Sequence, residues 1–237
     1  SAMDIGEQPT GNPGHVWIFT NAQSVRMYKN DRLIKVFRPG KTADSKRFAH
    51  LKHPPMEVDE YIGDLLKKEE KFNPEQERLG RGLLNYAARN GFSGLPVRMA
   101  AKGGLLMAKY HMKYDDAYRL YSTYIGDWGG TATSYRFEAV KNGRVVKTVT
   151  RAPVTAIHLE ARVYSGRPAN AGSLWHTYDA AKKEQILLRE GASYDVAAVQ
   201  LFMCDQNGNS LPFYHGCVEL ETEGPVSVIG PKQAGLR

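Results

Sequence analysis

The sequence predicts a mainly β chain of two sandwich units, the first of them interrupted by a small helical unit. Three observations carry that reading. Alternating apolar and polar residues flank a central block, about 59–128, inside which the apolar spacing becomes helical. Turn signals such as Asn142-Gly143 and Asp205-Gln206-Asn207-Gly208 separate short strand patterns at the intervals of a sandwich. At 237 residues the chain is also long enough for two domains of ordinary size. The expected division is a tag and linker over 1–14, a first sandwich with its helical insertion over 15–152, and a second sandwich over 153–237.

The elements follow in order. Gly6, Pro9, Gly11, Pro13 and Gly14 disfavour regular structure at the start, and Ser1-Ala2-Met3 reads as a cloning remnant. Val16 to Phe19 is a short strand. Val25 to Tyr28 and Leu33 to Phe37 are two more, joined by a turn at Lys29-Asn30-Asp31-Arg32. Pro54-Pro55 enforces extended backbone before a short strand at Met56 to Val58.

The helical block then opens. Asn73 before Pro74 is a helix start, because Asn accepts from unpaired backbone N–H groups and Pro fits the first helical position. Leu79, Leu83, Tyr86 and Ala87 are expected on its inner face. A further helix begins at Pro96 and carries Leu105, Leu106, Ala108 and Met112. A last one presents Ala117, Leu120, Tyr121, Tyr124 and Ile125 at the spacing of a buried stripe.

Tyr135-Phe137-Ala139 alternates with Arg136-Glu138, turns at Asn142-Gly143 and returns over Val145 to Thr150, the strongest hairpin signal in the chain. After Pro153, Ile157, Leu159, Ala161 and Val163 define one face of a strand, and His158, Glu160, Arg162 and Tyr164 the other. Residues 165–190 show no clear pattern. From Tyr194 strands resume, with Ala197, Val199, Leu201 and Met203 on one face. Val218 and Leu220 alternate with Glu219 and Glu221, and Val226 to Ile229 is expected to be a last strand.

Composition narrows the function classes. A content of 42% hydrophobic and 24% charged residues describes a folded globular chain. No apolar run approaches the roughly 18 residues of a membrane span. Cys204 and Cys217 are the only cysteines; they are expected as reduced thiols, without a zinc-ligand partner at useful sequence spacing, which favours the cytoplasm. Nine basic residues between Arg26 and Lys52, against Asp31 and Asp44, account for the whole net charge of +7. They interleave with strand-pattern apolar residues, as on a solvated sheet face. Stacking aromatics at regular intervals are missing, so nucleic acid is not the expected partner.

Motifs for chemistry are sparse. No Gly-x-Ser-x-Gly occurs, and Gly80-Arg81-Gly82 lies in a helix pattern with no strand before it. His50 and His53 precede two prolines and read as loop residues. Glu57, Asp59 and Glu60, and likewise Glu219, Glu221 and Glu223, are close in sequence, but nothing separates one pair as acid and base. No catalytic residue, metal site or cofactor is expected. Trp128 and Trp175 are the candidates for a sugar platform, since aromatic faces stack on sugars; Trp17 reads as core.

Two stretches resemble a known family. Val16-Trp17-Ile18-Phe19-Thr20-Asn21, followed by Val25-Arg26-Met27-Tyr28-Lys29-Asn30, is similar to the phrase "V-x-V-x-T-N-x-x-x-V-x-L-x-x-N-G" of the immunoglobulin-like domain after the catalytic barrel in glycoside hydrolase family 2. It departs at Asp31, where that family has Gly. Asp205-Gln206-Asn207-Gly208-Asn209 with Leu211-Pro212, Val218 to Pro225 and Ile229-Gly230-Pro231 resembles the "D-x-x-G-N-x-x-P" and "G-P-x-x-l-i-G" signature of the last sandwich in β-galactosidase-like members.

The resemblance implies two immunoglobulin-like sandwiches from the post-barrel region of such an enzyme. They would be non-catalytic, packing against the barrel, supporting the shape of its site or homo-oligomer contacts. The nearest lookalike of the family's acid/base Asn-Glu pair, Asn73-Pro74-Glu75, is interrupted by Pro, so no catalytic residue carries over. A carbohydrate-binding module is the alternative. The resemblance also implies that the second sandwich stops short of its final strands, to be completed by Trp175 to Leu188 or by a second copy of the chain.

Overall fold

Two consecutive residues with positive φ, Asn30 (46°) and Asp31 (61°), turn the chain at its first hairpin. This turn matches the right-handed twist of the strands it joins, and Asn and Asp tolerate it better than most side chains. Asn142 (51°) and Gly143 (75°) make the same turn at the second hairpin. The computed structural model describes residues 13–40, 48, 50–92, 94–126, 133–165, 176–177, 197–211, 214–224 and 226–236. The chain divides into two units, Ser1–Pro153 and Val154–Arg237.

In the first unit, β1 (Trp17–Ile18) pairs antiparallel with β4 (Met56–Glu57). Strands β2 (Ser24–Lys29), β3 (Arg32–Phe37), β5 (Tyr135–Lys141) and β6 (Arg144–Arg151) form an antiparallel sheet in the order β3-β2-β5-β6. The helices lie between β3 and β5 in the chain: α1 (Leu65–Glu69), α2 (Pro74–Asn90), α3 (Val97–Tyr110) and α4 (Tyr114–Tyr121), the last running into a π-helical turn at Ser122–Gly126. The sheet is therefore opened by one hairpin, left for the helices, and closed when β5 returns beside β2.

Cross-strand register shows why one sheet face is buried. Val25 stands opposite both Phe37 and Ala139, Met27 opposite Phe137, and Lys29 opposite Tyr135. Residues directly opposite share a face, so the apolar members make one layer. Val25, Met27, Phe37 and Tyr135 join a core with Val16, Met56, Val58, Tyr61 and Ile62, and with Leu66, Leu84, Ala88, Leu120, Tyr124 and Ile125. Pro13 is buried, and the N–H of Gly14 donates to the Ala88 carbonyl at 2.9 Å.

Local signals explain the helices. The Asn73 side chain accepts from the backbone N–H groups of Glu75 (3.1 Å) and Gln76 (2.9 Å), with Pro74 at the first position. The inner face of α2 differs from the one expected: Leu79, Leu84, Ala87 and Ala88 are buried, while Leu83 and Tyr86 are half-buried. Leu66 and Phe72 pack closely against α2 at Gly80, where a side-chain carbon would lie 3.4 Å from each. On α3, Met99 and Leu106 are buried, but Leu105 and Ala108 face outward.

In the second unit, β7 (Ile157–Ser165) pairs with β8 (His176–Thr177) on one edge and β9 (Ala197–Asp205) on the other. A separate ladder joins β10 (Gly216–Glu219) to β11 (Gln233–Leu236). The expected strand at Val226 to Ile229 is not formed. Positive φ at Gly224 (89°) and Gly230 (142°) bends the backbone on both sides of it, and the pairing resumes only when the Leu220 N–H donates to the Lys232 carbonyl at 2.8 Å. Of the expected closing segment, His176–Thr177 lies on the β7 edge; the rest falls outside the described residues.

The architecture is thus mixed, with four α-helices and small antiparallel sheets among the described residues. "Mainly β" understates the helices, which contribute a large part of the core in the first unit.

Candidate functional site

In the first unit the charged residues nearest the core are engaged by one another. Glu60 accepts from the Ile62 N–H (3.1 Å), the Gly63 N–H (3.0 Å) and Asn85 Nδ2 (2.8 Å), while Asn85 Oδ1 accepts from the Tyr61 N–H at 2.9 Å. Glu57 meets His15 at 2.5 Å and Arg89 at 3.6 Å, and Asp59 meets Lys35 at 2.6 Å. The three acids close in sequence therefore brace three different neighbours rather than facing one another across a cleft.

Two further carboxylates are tuned by their partners. Arg119 donates both guanidinium arms to Glu70 at 2.8 Å, and Tyr124 adds a third hydrogen bond at 2.9 Å. The Arg119 bonds hold the Glu70 carboxyl below the usual range, while burial first, and then Glu70, raises the Tyr124 phenol. Glu75 is held low chiefly by Lys109 and then by Tyr110, which donates at 2.6 Å. It tethers the start of α2 to the end of α3. Burial raises the Tyr61 phenol as well.

Part of the basic stretch is paired in the same way. Lys29 is buried and donates to the Tyr124 carbonyl; Arg32 pairs with Glu69 at 2.8 Å, and Arg26 approaches Glu138 at 4.0 Å. Arg38 and Lys52 are exposed. Lys41, Lys46 and Arg47 lie outside the described residues. Glu219, Glu221 and Glu223 are exposed. His50 and His53 are exposed too, in a loop.

Of the sugar-platform candidates, Trp128 and Trp175 both lie outside the described residues. Trp17 is half-buried on β1 and meets Phe48 edge-on, with ring centroids 6.1 Å apart.

Two apolar surfaces are exposed as well. Along α3, Val97 (87% exposed), Ala101, Leu105 (41%) and Ala108 recur at helical spacing, and Met107 (55%) is exposed on the other flank of the helix. In the second unit, β7 and β9 place Ile157, Leu159 and Val199 on one sheet face, and all three are about half exposed.

The opposite face of β7 and β9 carries a cluster that the sequence did not disclose. His158 stands directly across from Cys204, and Glu160 is two residues along on the same side. One ligand atom from each lies within 4.8 Å of the other two. The Cys204 thiol donates to Glu160 Oε2 at 3.6 Å. His158 and Glu160 were legible as outward-facing partners on one strand; Cys204 joins them only through the register across a long connection.

No helix among the described residues is long and apolar enough to cross a membrane. Comparison with protein-family models, curated proteins and solved structures found no match.

Proposed function

We propose that this chain is a non-catalytic region of a β-galactosidase-like, family 2 glycoside hydrolase, serving to pack against that enzyme's catalytic barrel. The observation that carries the reading is the outer face of α3. Val97 and Leu105 stand exposed on one side of this helix, with Ala101 and Ala108 between them, in a unit where several acids and bases pair with one another. Contiguous exposed apolar surface of this kind fits a partner protein better than a small polar ligand.

In this reading the antiparallel sheets are layers of two immunoglobulin-like domains. The β1–β4 ladder contributes to a second layer in the first domain, and the helices fill the remainder. The phrases around Thr20-Asn21 and Asp205-Gln206-Asn207-Gly208 supply the family resemblance. Homo-oligomer contacts are a secondary use of the same surfaces, and the cytoplasm is the compartment that two thiols favour.

The decisive experiment reads the gene upstream of Asp4 and expresses any in-frame barrel separately. The expected outcome is a barrel with two catalytic glutamates that this chain binds, with Leu105→Glu weakening the complex. The chain alone should not turn over an aryl galactoside. A reading frame without such a barrel, or a complex indifferent to Leu105→Glu and Val97→Glu, would overturn the reading.

A further inference from the structure

We propose that His158, Glu160 and Cys204 form a zinc site that clamps β7 to β9. The three supply imidazole nitrogen, carboxylate oxygen and thiol sulfur, the donor types that zinc takes. Hard cations such as calcium and magnesium instead require six or more oxygens or several retained waters, which this set does not resemble. Around a tetrahedral zinc with bonds of about 2.0–2.3 Å, ligand atoms stand about 3.3–3.8 Å apart. The Cys204 to Glu160 separation of 3.6 Å already falls in that window, and the whole set lies within 4.8 Å. Small side-chain rotations close the rest.

The backbone beneath the site is held in place. His158 and Cys204 face each other in a continuous antiparallel register from Ile157–Asp205 to Ser165–Ala197. Immediately after Cys204, Asp205 Oδ1 accepts from the N–H groups of Asn207 (2.8 Å) and Asn209 (2.9 Å), fixing the turn. Gln206 Oε1 accepts from the Thr155 N–H at 3.1 Å, which ties that turn to the start of β7. Both ligand-bearing strands are therefore anchored on the side where the cluster sits. Preorganised ligands lose less freedom on binding.

Charge and access agree with the assignment. Cys204 is fully buried, Glu160 half-buried and His158 exposed, so an ion enters past the imidazole and meets the sulfur last. On binding, the Cys204 S–H bond breaks, a sulfur–zinc bond forms and the proton leaves to buffer, with no change of oxidation state. Thiolate and carboxylate then balance the two positive charges, and the fourth position is left for a further donor.

The test is cobalt(II) titration of the reduced full chain, followed by zinc displacement. The expected result is one equivalent of cobalt giving a thiolate charge-transfer band and tetrahedral d–d bands, both abolished by zinc. His158→Gln, at an exposed position that does not threaten folding, should weaken affinity by about 100-fold or more. Loss of supporting groups around metal ligands alone costs 10–100-fold. Cys204→Ser should remove the charge-transfer band, while Cys217→Ser, at the exposed thiol of β10, should leave it intact. No cobalt uptake, a band carried by Cys217, or His158→Gln binding as tightly as the parent chain would each overturn the proposal.

Discussion

Leu120→Ala against Leu105→Ala separates the packed side of the helical block from its proposed docking side. Leu120 is 2% exposed on α4 and belongs to the core shared with the sheet; Leu105 is 41% exposed on α3. Removing the Leu120 side chain forfeits about 1.5–3 kcal/mol of transfer free energy. A cavity term adds to this, for a total of about 2–5 kcal/mol. Tyr121 and Tyr124 flank the site on the same stripe, and their rings are too rigid to collapse fully into the gap, so about 3 kcal/mol is expected. Leu105 has less burial to lose, and alanine is the better helix former, so its substitution should cost about 1 kcal/mol or less.

The helices among the described residues all lie in the first unit, so the loss of their circular dichroism follows the melting of that unit. For a unit of this size each kcal/mol moves the melting midpoint by about 2–4 °C. Leu120→Ala should therefore lower it by about 6–12 °C, and Leu105→Ala by no more than about 4 °C. An unmoved midpoint for Leu120→Ala would refute the packing argument. Equal losses for the two variants would show that α3 is packed on both sides and presents no docking face.

Three further outcomes follow from the polar contacts. Asn85→Leu leaves the Tyr61 N–H buried without its acceptor and should cost about 1–3 kcal/mol in urea denaturation; faster amide exchange at Tyr61 is the local check, and unchanged exchange would rule the bond out. Asn73→Ala removes the cap of α2 and should cost about 1 kcal/mol, largely recovered by Asn73→Ser; equal losses for Ala and Ser would count against capping. The Glu70 carboxyl is held low by Arg119 in the folded state, so its contribution is complete above the unfolded value of about 4.3 and fades as pH falls through the lower folded value. A Glu70→Gln chain should thus lose less stability than the parent between neutral and acid pH, and parallel stability curves for the two would contradict this.

The parts legible in the sequence were those fixed by local backbone chemistry. Asn142-Gly143 specifies its turn through two positive-φ positions, and Asn73-Pro74 specifies a helix start through one acceptor and one missing donor. The stripe at Leu120, Tyr121, Tyr124 and Ile125 was clear because polar residues surround it. The rotation of α2 and α3 was not clear, since apolar residues lie on more than one side of each. Which leucine turns inward on α2 depends on what the rest of the core packs against it, Leu66 and Phe72 among its neighbours, a tertiary fact. The strand expected at Val226 to Ile229 had the right residue types, but two bent glycines moved the pairing to Gln233–Leu236.

The same distinction explains why the acids misled and the cysteine hid. Proximity in sequence suggested that Glu57, Asp59 and Glu60 form a set, yet each faces a different partner, His15 and Arg89, Lys35, or Asn85. Cys204 and His158 are far apart in sequence and face each other because β7 and β9 pair in one register. A shift of that register by one residue would turn Cys204 to the face of Ile157 and Leu159, dissolving the cluster and placing Met203 beside His158. The zinc proposal is thus also a statement about strand register. Metal bound across the strands would hold that register against slippage where half-exposed Ile157, Leu159 and Val199 specify it only weakly.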